Sequence, residues 1–446
     1  MEMTSMDENN CAPTEVSIEA LSDKVKQLFT FRDHYFENHS IDDASRKNKD
    51  VTDKMKETVN ILERLKDPAS KANKAMYCYL RGRALNVTPQ FNAEAEEMLS
   101  KALKLDPKFV DAWNELGECY WKKDDITAAK NCFTTALSHK KNKISLRNLS
   151  MVLRQEPSKT PQERIKNIEE GLNKAREAVQ LDPNDGQSWT ILGNSYLSSY
   201  FTISQNPKIL KQCMSAYFQA EKDITASSSP ELHYNKAIAY KYEEEYNLAL
   251  ESFSKAQSLE PTWDDPRLKE RQLLKYLENV QDLVKHKGKL KGKKYSQLVQ
   301  SIDEKQLGPY YGGSYTSSKG ESIELQCIPF SNLQEGLNEN KVIFGKVVCS
   351  IQDEDAVPFT FCMVDKVETC IAVTVYNFAK GKGVIIGDSV AIPEPYLTKV
   401  SVETKDAKYF YNSVRVNSPL VLVVNGKKMG INQQASAQLS TYKKKD

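Results

Sequence analysis

The stretch W-N-E-L-G-E-C-Y, Trp113 to Tyr120, returns as W-T-I-L-G-N-S-Y at Trp189 to Tyr196, with Trp, Leu, Gly and Tyr at the same offsets. Those offsets put the four shared side chains on one face of a helix. Beyond the first copy, Ala129, Phe133 and Ala136 extend the register, with small residues where two antiparallel helices cross and a large one between them. This is the pattern of a helix-turn-helix unit. Its second half recurs at Ala249, Phe253, Ala256 and Pro261, preceded by Ala237 and Tyr240. The tripeptides Leu105-Asp106-Pro107, Leu181-Asp182-Pro183 and Leu259-Glu260-Pro261 punctuate the ends of second helices, and the first two stand six residues before a Trp.

The signature W-x2-L-G-x2-Y, then A-x3-F-x2-A, then P resembles the tetratricopeptide repeat, whose period is about 34 residues. The two Trp residues are 76 apart, two periods with eight residues to spare. A degenerate unit therefore lies between them. The segment "SLRNLSMVLRQ" supplies its first helix, with Leu146, Leu149, Ser150 and Leu153 in the Trp, Leu, Gly and Tyr places. An earlier unit fits "YCYLRGRAL" with Ala95, Leu99, Ala102 and Pro107, and "SSYFTISQNPKI" is an insertion between the helices of the Trp189 unit. The count is four units between about 73 and 261.

Composition narrows the class. The chain has 446 residues, enough for two or three domains, with 40% hydrophobic and 27% charged content and a net charge of +2. No apolar run approaches the ~20 residues of a membrane helix, and the acidic start MEMTSMDENNCAPTE lacks the basic and apolar regions of a secretory signal. The expectation is synthesis in the cytosol and no membrane partner. Nine cysteines stand singly without a C-x-x-C pair, so they are expected as reduced thiols, and the two sequons read as coincidence.

The fold class expected is multidomain: an all-α tetratricopeptide-repeat solenoid followed by a small all-β barrel like the oligonucleotide/oligosaccharide-binding (OB) fold. Residues 1–15 are expected to be disordered, 16–72 to form two amphipathic helices ending at Asp67-Pro68, and 73–284 to form the solenoid, with "RLKERQLLKYLENVQDLV" as its capping helix. Residues 285–322 read as a lysine-rich segment and Gly/Ser/Tyr linker, and 323–446 as the barrel with a polar tail ending KKKD. In the last domain, five β-branched and aromatic runs from "VIFGKVVCSI" to "YNSVRVNSPLVLVVNG" point to a closed barrel of five strands, with an SH3-like barrel or a sandwich as alternatives.

Nearly the whole chain, through "FRDHYFENHS", "LGNSYLS", "QNPKI", "VPFTF" and "GDSVAIPEP", resembles the tetratricopeptide repeat protein 5 family. The resemblance implies a non-enzymatic adaptor of cytoplasm and nucleus. It implies recognition of the nascent tubulin N-terminal peptide at the ribosome, with contacts to protein and ribosomal RNA near the exit site, and recruitment of mRNA-decay factors. It also implies stress-responsive transcriptional co-activation with histone acetyltransferase complexes.

First helices line the concave wall of such a solenoid. Side chains one, five and eight places after the Trp position point into it: Arg147, Met151 and Arg154 in the degenerate unit, Thr190, Asn194 and Leu197 in the next, and Tyr234, Ile238 and Lys241 near the end. This mixture suits an extended peptide with an acidic side chain, because Arg binds carboxylate bidentately and amides satisfy peptide backbone. The competing reading is that Arg147 and Arg154 are solvated or pair with neighbouring acids. Glu118, at the corresponding place of the Trp113 unit, would repel the C-terminal carboxylate that chaperone-tail clamps bind, and favours a basic or free-amine segment instead.

Lys285, Lys287, Lys289, Lys291, Lys293 and Lys294 form the strongest charge run, suited to ribosomal RNA phosphates, or else a solvated hinge or nuclear-import signal. The barrel, with ten Lys and Arg against nine Asp and Glu between 343 and 430, lacks the basic bias of a single-strand binder. Phe359, Phe361, Tyr376 and Phe378 read as core or as a stacking platform; the second reading would make the chain a nucleic-acid-binding regulator. A transcriptional scaffold without fixed peptide specificity is the third alternative. Five scattered histidines and the turn "GKGVIIG" provide no catalytic constellation, so no enzyme activity, cofactor, metal or small-molecule substrate is expected.

Overall fold

The computed structural model describes residues 18–203, 206–312, 314–316, 320–351, 358–379 and 381–435. The disorder expected of residues 1–15 and the expected KKKD tail lie outside these. By contact the described chain forms two compact units, one of residues 18–239 with 255–263 and the other of 240–254 with 264–435.

The first unit is helical. Its helices are α1 (Ile18–Asp33), α2 (Ala44–Arg64), α3 (Lys66–Leu85), α4 (Ala93–Leu105), α5 (Val110–Lys122), α6 (Ile126–His139), α7 (Lys143–Gln155), α8 (Pro161–Leu181), α9 (Gly186–Thr202) and α10 (Pro207–Ala220). Helices α11 (Pro230–Glu243) and α12 (Tyr246–Leu259) follow, and the chain passes through them from one unit to the other. Many starts are written in the sequence. Asn92, Asp125, Asn142, Thr160, Asp185 and Asn206 each accept a backbone N–H from the first turn they precede, as N-cap side chains do. Asp67-Pro68 does not end a helix as expected: it lies in the first turn of α3, where proline's missing N–H is not needed.

The repeated octapeptide is explained by two contacts. The indole Nε1 of Trp113 donates to the Pro107 carbonyl, and that of Trp189 to the Pro183 carbonyl, each at 2.8 Å. Each Trp is thereby fastened to the punctuating tripeptide before it. The glycines mark the helix crossings. A Cβ on Gly117 would stand 2.5 Å from Phe133, one on Gly193 2.4 Å from Tyr217, and one on Gly82 2.7 Å from Leu99. In the degenerate unit Ser150 holds the glycine place and the small residue has moved to the partner helix, where a Cβ on Gly171 would lie 3.1 Å from the Ser150 carbonyl oxygen. Overpacking of this kind costs about 1–3 kcal/mol. Gly193→Ala is therefore expected to lower the stability of the repeats by that amount, measured by denaturant unfolding.

The second unit is built on strands β1 (Lys341–Ile351), β2 (Phe359–Val364), β3 (Cys370–Val375), β4 (Ser389–Pro393), β5 (Tyr396–Glu403) and β6 (Lys408–Val416). The hydrogen-bonded order through these six is β4-β1-β2-β3-β6-β5, and short strands extend both ends. The β3–β6 pair is parallel and the other neighbours are antiparallel. Among the described residues this order is open, so the domain is a curled sheet and not the closed barrel expected. The run "GDSVAIPEPYLTKVSVE" is two strands and not one, because Pro393 and Pro395 lack N–H donors and Glu394 turns the chain at φ +42°. Ile343, Val347, Phe361, Met363, Ile371, Val373, Val390 and Val414 form the core inside the curl.

The sheet's other face carries the segment expected to cap the solenoid and link the domains. Helix α13 (Asp264–Lys285) packs on it, with Tyr276 and Thr360 hydroxyls 3.0 Å apart and the Phe410 N–H donating to Gln281 Oε1 at 2.6 Å. Helix α14 (Gly292–Gln300) follows, and Leu283, Leu290, Tyr295 and Leu298 cover Val348, Cys349, Cys362 and Val364. Gly288 makes the turn between them at φ +75°, against the Val348 carbonyl, where a side chain has no room. The lysines that suggested a flexible linker are the outward half of an amphipathic layer.

In the same unit the turn between α11 and α12 is tied to the sheet through a buried carboxylate. Glu244, at φ +65°, accepts from Thr374 Oγ1 and the Tyr376 hydroxyl, both at 2.8 Å, and lies 3.6 Å from Arg415. The Arg415 guanidinium lies over the Tyr376 ring at 4.1 Å and donates to the Tyr242 carbonyl at 2.8 Å. Glu244 Oε2 is buried without a partner among the described residues.

Candidate peptide-binding site

Arg147 and Arg154 leave the same helix, α7, with different surroundings. Arg147 Nη1 is 3.1 Å from Asp185 Oδ2, and Lys143 is 3.1 Å from Asp185 Oδ1. Asp185 also caps α9 by accepting the Ser188 N–H. Burial works to raise the Asp185 carboxyl, but Arg147, Ser188 and Lys143 outweigh it and hold the carboxyl below the usual range. Arg147 thus fits the competing reading, in which it serves the next repeat's cap. Arg154 does not. Its Nε donates to the Ser150 carbonyl at 3.3 Å, and no carboxylate lies within 4 Å of it among the described residues. Burial pushes its guanidinium down to about 10, with Tyr217 and Glu231 opposing. A half-buried guanidinium with no ion pair among the described residues is available to an anion.

Asn194 is linked to it through Tyr217, whose hydroxyl is influenced by the Arg154 charge. Its Oδ1 accepts from the Tyr217 hydroxyl at 2.8 Å and from Asn235 Nδ2 at 3.0 Å, which leaves its own amide N–H groups without a partner among the described residues. Tyr217 is the ring that fills the space above Gly193, so one side chain both closes the repeat and orients the amide. Arg154, Tyr217, Asn194 and Asn235 form one constellation: a cation for a carboxylate, and an amide for a peptide carbonyl.

The other expected groove residues divide. Thr190 turns its hydroxyl back onto the Gly186 carbonyl at 3.0 Å, and Leu197 is buried, so both serve packing. Met151 packs with Leu149, Leu153 and Phe133. Tyr234 is buried against Trp263, ring centroids 4.8 Å apart, while Ile238 is half-buried and Lys241 belongs to the second unit. Asn235, Tyr217 and Asp185 were missed by sequence reasoning. The signal for Asp185 was present, since it precedes a helix start as N-caps do, but nothing local joins it to Arg147.

Glu118 accepts from Asn148 Nδ2 at 3.2 Å and lines a cleft of about 310 Å³ shared by Arg32, Lys47, Lys122, Ser229 and Glu260. Below it Glu115 is pushed up to about 7 by burial and by Glu118. The cleft therefore carries both signs of charge, where sequence had offered Glu118 alone.

Of the six lysines, two are spent internally. Lys287 pairs with Glu368 at 3.1 Å and lies over the Tyr295 ring, and Lys289 pairs with Asp282. Lys285, Lys291, Lys293 and Lys294 are exposed and make no ion pair among the described residues. In the sheet, Phe361 and Tyr376 are buried and Phe359 packs edge-on to Phe378 at 5.1 Å, so these rings follow the core reading. Among the described residues no helix is long and apolar enough to cross a membrane, and no cluster of His, Cys, Asp and Glu is grouped to hold a metal.

A stacked helical-repeat unit followed by a curled sheet defines an adaptor of the tetratricopeptide-repeat class with an OB-fold domain. Residues 324–438 match the model of the tetratricopeptide repeat protein 5 OB fold domain, and 92–149 and 230–262 match tetratricopeptide-repeat models. The chain is 50% identical over 425 residues to tetratricopeptide repeat protein 5 of Homo sapiens, covering 95% of this chain and 96% of that one. The protein of Bos taurus is 48% identical over the same shares. The chain belongs to the tetratricopeptide repeat protein 5 family. Among solved structures it aligns with YrrB, described as a TPR protein with an unusual peptide-binding site, at TM-score 0.30 and 22% identity, covering 46% of this chain and 96% of that one. The Cut9–Hcn1 assembly aligns at TM-score 0.41 and 12% identity, covering 58% and 48%.

Proposed function

We propose that the helical unit is a receptor for a short extended peptide carrying an acidic side chain, and that the ligand is the N-terminus of nascent tubulin as it leaves the ribosome. The observation that carries the reading is Arg154, a half-buried guanidinium without a carboxylate partner among the described residues, linked through Tyr217 to Asn194, whose amide donors have no partner among them. Family membership supports the particular ligand, and with it recruitment of mRNA-decay factors, so that tubulin represses its own message. A co-activator role with histone acetyltransferase complexes, in cytoplasm and nucleus, belongs to the same proposal. Fluorescence titration with a tubulin N-terminal peptide and with its Glu→Gln form tests it: the acidic peptide should bind and the neutral one should lose about tenfold or more, as loss of a charged hydrogen bond implies. Equal binding of both would sink the reading.

The exposed lysines are proposed to rest on ribosomal RNA. Each phosphate contact adds about 0.7–0.9 to the slope of log affinity against log salt. Lys285→Glu/Lys287→Glu should reduce ribosome co-sedimentation while peptide binding persists. Lys293→Glu/Lys294→Glu should do so at least as strongly, because Lys287 is already engaged by Glu368 whereas Lys293 and Lys294 are uncommitted. Loss of peptide binding in either pair would instead point to misfolding or a shared site.

A further inference from the structure

Three thiols meet beneath the lysine-bearing layer of the second unit. Cys349 on β1 stands directly opposite Cys362 on β2, just past the bulge at Val348 that shifts the register of this pair of strands. Cys370, at the start of β3, is opposite Val364, two residues along β2 from Cys362, so alternation along the strands puts all three cysteines on the same face. That face is the one covered by Leu283, Leu290, Tyr295 and Leu298. Cys349 and Cys362 are buried, Cys370 is half-exposed, and all three are free thiols. Neither the peptide reading nor the lysine reading uses them.

We infer that Cys349 and Cys362 join in a reversible disulfide when the protein meets a peroxide. Geometry selects the pair. Residues directly opposite in an antiparallel ladder have Cα atoms about 4.5–5.5 Å apart, inside the range of about 4.4–6.8 Å that a disulfide needs, whereas diagonal neighbours, as Cys370 is to Cys362, are about 7–8 Å apart. Burial orders the two partners: Cys349 keeps 6% of its surface exposed and Cys362 none, so the oxidant meets Cys349 first. Electrostatics agrees. The Cys362 thiol beside it holds Cys349 below the ordinary thiol range in spite of burial, and Cys362 is itself pushed well up by Cys349, Cys370 and burial. One sulfur is thus the nucleophile and its neighbour keeps the proton, as in reactive thiol pairs. The buried cysteines of the helical unit differ, since burial pushes Cys119 up to about 11 and Cys132 and Cys213 up to about 12, and they stay protonated at neutral pH.

The chemistry needs only the peroxide. Cys349 Sγ attacks one oxygen of hydrogen peroxide, the O–O bond breaks, and a sulfenic acid and water form. Cys362 Sγ then attacks the sulfenic sulfur, and the hydroxyl leaves with the Cys362 proton as a second water. The two thiols are oxidised to a disulfide as the peroxide is reduced to water, and a dithiol reverses the bond by exchange. The disulfide staples β1 to β2 beside the Val348 carbonyl, against which Gly288 turns, and remakes the surface on which Leu290, Tyr295 and Leu298 sit. The layer bearing Lys291, Lys293 and Lys294 should lose its seat, and ribosome binding should weaken; this consequence, unlike the bond, rests on the ribosome reading above.

The test exposes the full chain to hydrogen peroxide, blocks the remaining thiols with iodoacetamide and maps disulfides by mass spectrometry. The expected result is a peptide pair joined through Cys349 and Cys362, lost on treatment with dithiothreitol, absent in Cys349→Ala and in Cys362→Ala, and formed at the parent rate in Cys370→Ser. A parent chain in which that pair does not form, whether the two thiols stay reduced or join Cys370 instead, would overturn the inference. Ribosome co-sedimentation of the oxidised chain should fall severalfold and recover on reduction, while that of Cys349→Ala should be indifferent to peroxide. If the bond forms and co-sedimentation holds, the modification stands and its coupling to the lysines fails.

Discussion

Replacing Arg415 by Met is expected to be among the most damaging single changes in the second unit, costing about 3–5 kcal/mol, because it strands a buried carboxylate. Among the described residues Glu244 is held by two hydroxyls and this one guanidinium, and its second oxygen lacks a partner. The signature is in the pH dependence. Burial raises the Glu244 carboxyl above its usual range and Arg415 is the strongest influence lowering it. An acid whose folded pKa is raised binds its proton more tightly when folded. Its contribution is therefore most favourable below the ordinary carboxylate range and is lost as pH rises through the folded value. Without Arg415 that value rises further, so Arg415→Met should lose stability over a wider span of rising pH than the parent does. Guanidinium unfolding across pH 4 to 8 measures it, and parallel profiles would show that Arg415 does not govern Glu244.

Arg154→Ala should behave differently toward the fold. Arg154 is half-buried and makes no ion pair among the described residues, so its removal should change thermal stability little, while affinity for an acidic peptide should fall about 10- to 100-fold. Arg147→Ala should do the reverse, costing about 1 kcal/mol of stability through the cap at Asp185, which keeps only Lys143 and Ser188, with a smaller loss of affinity. Thermal melts and titrations of the two variants side by side separate a binding arginine from a structural one.

The sequence made the repeats readable because the residues that recur are those that touch: Trp113 and Trp189 bond to the preceding tripeptides, and Gly117 and Gly193 receive a ring. The degenerate unit was found by spacing, and its register placed Arg147 and Arg154 on one helix. What spacing could not tell was their difference, since the acid that claims Arg147 is an N-cap 38 residues away in the next repeat. Asn235 and Tyr217 escaped for the same reason, being defined by contacts across repeats and not by a motif. In the second unit, composition misled in two places. Lysines, glycine, serine and tyrosine suggested a lysine-rich segment and linker at 285–322, whereas Leu290, Tyr295 and Leu298 within it cover the sheet. Two prolines within one β-rich run concealed a strand break at Glu394.

Arg154 is proposed to receive the acidic side chain of a bound peptide. A double-mutant cycle tests it directly, titrating parent and Arg154→Ala proteins with a tubulin N-terminal peptide and its Glu→Gln form. The expected coupling is about 1.5–3 kcal/mol, with both peptides binding the variant alike. Additive losses, with Arg154→Ala still preferring the acidic peptide as strongly as the parent does, would contradict it.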